Sequence, residues 1–484
     1  MRRRQGQPAR DDARARAWPA ARQGARRLAA ARVHADSRRT LLLDLYAAAC
    51  DAVDGRRRVR AQLSGERRDV ETRVLAIGKA ACTMVLGTLD ARGAAVVEAL
   101  VIAPAEAYEA ELARHPAVRF LPGEHPVPGE ASLASGEAAL AFAAGVPAGT
   151  QVLVLVSGGA SSLVEALAPG LTLDDLRAVN RWGMSSGVDI VQLNAVRSRL
   201  SRLKGGRLAA ALAHADARAL LISDVPGDDP RVIGSGLVAA PPLPPVRTSR
   251  GRPLAPATSG LPPEIDAIVA RAGALPEGAA LPCTIVGTLD DAMLAVERTA
   301  KARGYTARRL AGRISGDVER AASVFAHELV LSVEDVVVAG GETTVRLPEK
   351  PGRGGRNQHL ALAAARLLVG HPDLVVLAAG TDGVDGVTRD AGAIVDAETI
   401  SRGIEAGLVP EDALARADSG TFLEASGDLL HVGPTGTNVG DVLIGLRKVP
   451  DPPPPRGSDS LDTPDEATEP AAESAAGRDG SDAP

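Results

Sequence analysis

Large rings are nearly missing from this chain: four Phe, three Tyr and two Trp, 2% of 484 residues. A core without them must be built from Ala, Val and Leu within the 45% hydrophobic fraction. Small side chains favour the tight helix–sheet contacts of α/β layers. Cysteine is equally scarce. Cys50, Cys82 and Cys283 stand far apart, which excludes a disulfide framework and a Cys-x-x-Cys metal pattern and fits a reducing compartment. The eight histidines form no metal cluster. No apolar run reaches the ~18 residues of a membrane span. No single sign of charge is concentrated either: the net charge of −5 is spread along the chain, which argues against a nucleic-acid surface. Lysine occurs only five times although Lys and Arg together number 55. A lysine at a turn is therefore worth notice, because a compact ammonium does work that arginine does not.

At this length two domains plus tails is the expectation. Residues 1–38 are charged, rich in Arg and Ala, without a period or an apolar centre. They read as a disordered or frayed extension rather than a targeting segment, and a cytoplasmic location is expected. Residues 450–484, opening on Pro450 and Pro452 to Pro455, cannot bury enough apolar surface to offset chain entropy and should be disordered. Between the tails, short apolar runs alternate with Ala/Leu-rich helical stretches. The runs 73–77, 151–156, 219–222, 336–338 and 374–378 read as buried parallel strands. A first domain over 39–245 and a second over 283–449 are joined by a Pro/Gly-rich connection at 246–282.

Each run ends in a small or polar cluster, and ligands of open parallel sheets bind outside the carboxyl ends of the strands. The clusters should share one cleft. Gly78-Lys79-Ala80 closes the first run. Ser157-Gly158-Gly159-Ala160-Ser161-Ser162 follows the second and can cradle a phosphate or carboxylate, or simply turn the chain. Asn194 to Gly206 reads as a helix stopped by Gly205-Gly206. On it Asn194, Arg197, Ser201 and Lys204 fall within roughly 80° of one another at ~100° per residue. Ser223-Asp224 to Asp228-Asp229 and Thr381-Asp382-Gly383-Val384-Asp385-Gly386 put carboxylates in turns, where they can hold Mg²⁺, act as a general base, or satisfy local backbone. Gly352-Arg353-Gly354-Gly355-Arg356-Asn357-Gln358 opens a helix and offers two guanidinium groups to an anion. Gly433 to Asn438 is a further polar loop. No Walker A spacing is present. Gly234-Ser235-Gly236-Leu-Val-Ala239 has the form of a dinucleotide turn but runs into Pro241-Pro242, so no helix opens and it is rejected as a nicotinamide site.

From about Ile77 to Leu446 these segments resemble the glycerate 2-kinase family with its C-terminal MOFRL domain. The resemblance rests on Asn194-Ala-Val-Arg197 through Lys204-Gly-Gly206, Ser223-Asp-Val-Pro-Gly-Asp228, Gly340-Gly-Glu-Thr-Thr344, Gly354-Gly-Arg-Asn-Gln358, Thr381-Asp-Gly383 with Asp385-Gly386, and Gly433-Pro-Thr-Gly-Thr-Asn438. It implies an α/β protein of two domains: an N-terminal three-layer αβα domain with a parallel sheet, and a C-terminal α/β domain whose MOFRL region spans about 334–446. ATP, Mg²⁺ and glycerate would meet in the cleft, with transfer of the γ-phosphoryl to the 2-hydroxyl. Phosphoryl transfer needs positioning and neutralisation of spreading negative charge. Taken with the residues themselves, this assigns Lys79, Arg197 and Arg353 or Arg356 to the glycerate carboxylate and the transferring group. Lys204 and the loop Ser157, Gly158, Gly159 and Ser161 would hold ATP phosphates. Asp224 or Asp382 would bind the metal or take the hydroxyl proton. Asn194, Glu342, Asn357, Thr381, Asp385, Thr437 and Asn438 are further binding residues. Family members also carry the label hydroxypyruvate reductase, which the missing dinucleotide motif does not support; a binding homologue that has lost turnover is the other rival reading. The chain departs from the family pattern at Ala160, Gln192, Leu237, Val238, His359 and Gly420.

Overall fold

The computed structural model describes residues 37–185, 190–240 and 261–447. The C-terminal tail, nearly all of the N-terminal extension and the first part of the connection lie outside the described residues.

Six strands, β1 (Thr72–Ile77), β2 (Val96–Ala103), β3 (Val118–Pro122), β4 (Gln151–Val156), β5 (Asp216–Ile222) and β6 (Cys283–Gly287), form an all-parallel sheet in the order β3-β2-β1-β4-β5-β6. The order reverses between β1 and β4, so the crevice beyond their carboxyl ends is the place where such sheets bind ligands. A second sheet holds β7 (Ala307–Arg309), β8 (Ile314–Asp317), β9 (Val336–Thr344), β10 (Val375–Gly380), β11 (Gly392–Asp396), β12 (Leu429–Leu430) and β13 (Asp441–Leu446), in the order β12-β11-β10-β13-β9-β7 with β8 also on β9. The helices that bear on the site are α1 (Ser37–Ala52), α2 (Ala81–Arg92), α3 (Ala160–Leu163), α4 (Leu173–Ser185), α5 (Ile190–Leu200), α6 (Pro263–Ala272), α7 (Leu289–Ala302), α8 (Val318–Leu331), α9 (Arg356–Leu368) and α10 (Ser419–Ser426).

Strand alternation sorts the core into layers. Val74 and Leu153 of the first sheet, and Val338, Leu377 and Ile444 of the second, point to a shared middle layer where Leu42, Leu45, Met84 and Val296 of α1, α2 and α7 fill the space. The opposite faces are covered separately, Leu75 and Val154 by one cluster, Val337 and Val376 by α8 and α9 in another. Each fully buried Leu in the middle layer contributes about 1.5–3 kcal/mol, so the two sheets are held by a continuous apolar contact. A small satellite of Val179, Leu193, Val196, Leu200, Ile265 and Ile268 binds α4, α5 and α6 together.

The structure departs from or adds to these expectations at several points. The runs at 336–338 and 374–378 are strands, but β10 pairs antiparallel on both sides and β9 is antiparallel to β13. Helices cover both faces of these strands, so their apolar runs carry no sign of direction. The domain borders also shift. β6, counted with the second domain, completes the first sheet. The connection contains α6, which Pro263 opens at its first turn. α1 packs in the middle layer and reaches the second sheet, where Arg39 pairs with Asp396 (2.6 Å) and Asp428 and the Tyr46 hydroxyl donates to the Gly380 carbonyl (2.7 Å). Lastly, α5 stops at Leu200, short of the glycine pair. The Ser201 hydroxyl accepts the amides of Leu203 and Lys204 (both 3.1 Å) and turns the chain out of the helix.

Candidate active site

At the switch point β1 and β4 end side by side. The Lys79 amide donates to the Gly158 carbonyl (2.9 Å) and the Ser157 hydroxyl accepts the Ala80 amide (3.0 Å), so the lysine and serine–glycine turns are locked together. The Lys79 ammonium reaches the second sheet and meets Asp382 Oδ2 at 2.6 Å. Gly158 permits the next contact: a Cβ there would run into the Asn438 amide and the Asp224 carboxylate. Asn438 Nδ2 donates to Asp224 Oδ2 at 3.3 Å. Burial, then the charge of Glu342, raises Asp224 to about 6, against the opposing field of Lys79.

The second sheet supplies the rest of this charged group. Arg356, first residue of α9, grips Asp441 with two donors (2.6 and 3.0 Å) and reaches Glu342 at 2.7 Å. Asp441 is buried at the head of β13. Lys79, Asp224, Asp382, Arg356 and Glu342 are thus brought together as the sequence suggested. Asp441 was missed, though a carboxylate opening a strand of otherwise apolar buried residues was a readable signal.

Beyond the serine–glycine loop lies a pocket of about 170 Å³ lined by His125, Gly159, Ser161, Ser162, Leu176, Asn180, Arg197 and Lys204. That lies below the ~300–1,000 Å³ range of sites for drug-sized ligands. Arg197 Nε donates to Asn180 Oδ1 at 2.9 Å, and among the described residues no carboxylate pairs with it. Burial lowers its pKa, against the field of Glu165. A half-buried guanidinium whose own hydrogen-bond partner is a neutral amide suits an incoming anion. Lys204 differs. Its ammonium lies 2.5 Å from Glu165, both side chains almost wholly buried.

Other expected residues turn inward. Asp385 accepts the amides of Asn357 and Gln358 (3.0 and 2.8 Å), so the anion at the start of α9 is the protein's own. Burial nonetheless lifts Asp385 to about 7. Thr381 bonds to Gly440 and Thr437 to the Val53 carbonyl (2.7 and 2.6 Å), both buried. Arg353 points to α10, pairing with Glu424 and, at 3.5 Å, with Asp390. Asn194 accepts a hydrogen bond from Ser235, a residue absent from the expected set.

Two sheets whose strand ends gather cations and carboxylates, with a small pocket beyond the serine–glycine loop, define an α/β protein with a charged cluster at its switch point. Comparison with known proteins narrows this. The family model described as a domain of unknown function (DUF4147) matches residues 41–248, and the MOFRL family model matches residues 335–441. The chain is 36% identical over 343 residues to an Agrobacterium vitis protein named "Putative hydroxypyruvate reductase", covering 68% of this chain and 78% of that one. It is 33% identical over 386 residues to the D-glycerate 2-kinase of Thermotoga maritima, covering 77% and 90% respectively. The crystal structure of a glycerate kinase from Thermotoga maritima superposes with a TM-score of 0.71 at 30% identity, covering 85% of this chain and 99% of that one. The chain belongs to the glycerate 2-kinase family.

Proposed function

We propose that this protein is an ATP-dependent glycerate 2-kinase, transferring the γ-phosphoryl of ATP to the 2-hydroxyl of D-glycerate. The observation that carries this reading is Arg197: a half-buried cation with no carboxylate partner among the described residues, in a pocket sized for a small acid, one glycine loop from Lys79 and Asp224. Arg197 binds the glycerate carboxylate there. Ser161 and Lys204, expected at the ATP phosphates, line the same pocket and serve the acid instead. The nucleotide phosphates then lie towards Lys79 and Arg356, whose charges offset the negative charge that spreads in the transition state. Asp224, raised to about 6, is ionised at neutral pH and takes the proton of the 2-hydroxyl as its oxygen attacks phosphorus and ADP leaves.

Among the described residues no group of three or more His, Cys, Asp or Glu is arranged to hold a metal by itself. With Asp224 as the base, Asp382 beside Lys79 still fits Mg²⁺ of the kind that keeps its waters and is bound by one carboxylate and the substrate phosphates. Such an ion supplies charge neutralisation on the phosphates. The three cysteines are free and separated, which supports a cytoplasmic setting, and no helix among the described residues is long and apolar enough to cross a membrane.

The test is an assay with D-glycerate and ATP against one with hydroxypyruvate and NADH. Phosphorylation that stops in metal-free enzyme, with a product enolase accepts directly, supports the reading. NADH oxidation alone overturns it, and a product that enolase accepts only after phosphoglycerate mutase moves the acceptor to the 3-hydroxyl.

A further inference from the structure

Gly234, Ser235 and Gly236 take φ values of 58°, 58° and 70° in succession. Residues with a Cβ avoid this left-handed region, and runs of it are rarer still. The flanking positions have a reason to be glycine. A Cβ at Gly236 would lie 2.7 Å from the Ala239 carbonyl, and one at Gly234 would press on Ala160 and Val156 at 3.3 Å. The middle position carries a serine where the backbone also favours glycine. Strain retained at a residue that could be relieved by a simpler one points to its side chain.

The Ser235 hydroxyl is buried and has two partners, Asn194 Oδ1 at 3.2 Å and Ser161 Oγ at 2.7 Å. Its single proton goes to Asn194, so the bridge to Ser161 uses the Ser161 proton. Ser161 lines the acid pocket. With its proton turned inward, it offers that pocket lone pairs, which accept from a hydroxyl. Asn194 lies one helical turn before Arg197 on α5. The same left-handed turn receives the amides of Gly205 (3.2 Å) and Gly206 (2.6 Å), which follow Lys204. One strained serine therefore braces three walls of the pocket.

We propose that Ser235 is a positioning residue that fixes Ser161 as a hydrogen-bond acceptor, so that the pocket prefers an acid carrying a second hydroxyl over its deoxy counterpart. This deepens the kinase reading and rests on it for the identity of the acid.

The experiment compares wild type with Ser235→Ala and Ser235→Gly, using D-glycerate and D-lactate as acceptors. Both variants should raise the KM for glycerate about tenfold and narrow the glycerate-to-lactate ratio of kcat/KM by a similar factor. The KM for ATP should stay within about twofold. Ser235→Gly should melt no lower than Ser235→Ala, because it also removes the strain. An unchanged glycerate KM with a lowered melting temperature in both variants overturns the assignment and leaves the kinase reading standing. Calorimetric titration of D-glycerate into nucleotide-free protein separates the two ideas. Binding without turnover, weakened by Ser235→Ala, refutes the kinase reading and keeps the assignment; no binding and no turnover in the wild type refutes both.

Discussion

Between the sheets every cation of the candidate site rests on a carboxylate: Lys79 on Asp382, Arg356 on Asp441 and Glu342. Under α4 and α5 Arg197 departs from this: among the described residues it meets the neutral amide of Asn180 and no carboxylate, while Lys204 in the same pocket keeps Glu165. The two arrangements suit different ligands. A paired cation can take a new anion only if its old partner is also provided for, so the first region favours a ligand that brings positive charge with its phosphates. The unpaired guanidinium favours a bare carboxylate. In the proposed reaction these are a metal–nucleotide complex and a small acid, which differ in the same way.

The largest effects should come from the paired side. Lys79→Ala and Arg356→Ala should each lower kcat on the order of 10²–10³-fold. Their stabilities should then part. The Lys79 pair is partly open to solvent, so its loss should leave the melting temperature nearly unchanged. Removing Arg356 strands the buried Asp441 carboxylate, and denaturant unfolding should show a loss of about 1–3 kcal/mol. A variant that keeps more than about a third of wild-type kcat/KM strikes that residue from the mechanism.

Next in size is the unpaired side. Arg197→Ala should raise the KM for glycerate by roughly 10–100-fold, the weight of a charge-assisted hydrogen-bonded contact. Its melting temperature should not fall, since the half-buried guanidinium is held by one neutral amide and its burial disfavours the charge. A lowered melting temperature with unchanged KM would show that Arg197 holds up the fold and not the acid.

Asp224 gives a pH signature. It works as a base only when ionised, so kcat/KM should fall as pH drops through about 6. Stability runs the other way. The native carboxyl holds its proton more tightly than an unfolded aspartate does, at about 3.9, so its contribution is fully present below that value and lost as pH rises through about 6. Asp224→Asn should therefore be nearly inactive yet, at pH 8, more stable by on the order of 2 kcal/mol. A fall of kcat/KM near pH 6 that survives in Asp224→Asn would assign the base elsewhere. The smallest effect belongs to Arg353→Ala, which should change kcat/KM by less than about threefold, because its partners Glu424 and Asp390 lie away from the other site cations.

The difference between Arg353 and Arg356 shows what the sequence could tell. Both arginines stood on one glycine-rich loop and looked equivalent. Only the chain's path into α9 sends one to Asp441 and the other to α10. β1, β4 and β5, with the turns that follow them, were legible because local apolar runs and glycine positions encode them. The antiparallel pairing of β9 and β10 with β13 was not, because strands buried on both faces look alike in either sense. The inward turn of Asp385 was hidden for a related reason: a carboxylate beside glycines signals an anion needing backbone amides, and the amides it found were those of Asn357 and Gln358. The early end of α5 turned on one hydroxyl, Ser201, whose capture of two amides competes with helix only once Leu167 and Ala166 lie alongside.

The placement of α1 sets a timetable for synthesis. Its apolar face, with Leu42, Leu45 and Tyr46, is made before any of the thirteen strands, yet it is covered in part by strands of the second sheet, which are made after the first sheet. At ~5–20 residues per second a ribosome needs roughly 20–80 s to travel from α1 to β13. For that interval the helix has no finished surface to close on and depends on transient cover. A nascent chain stalled before β10 should hold α1 open to protease, and one extended past β13 should protect it.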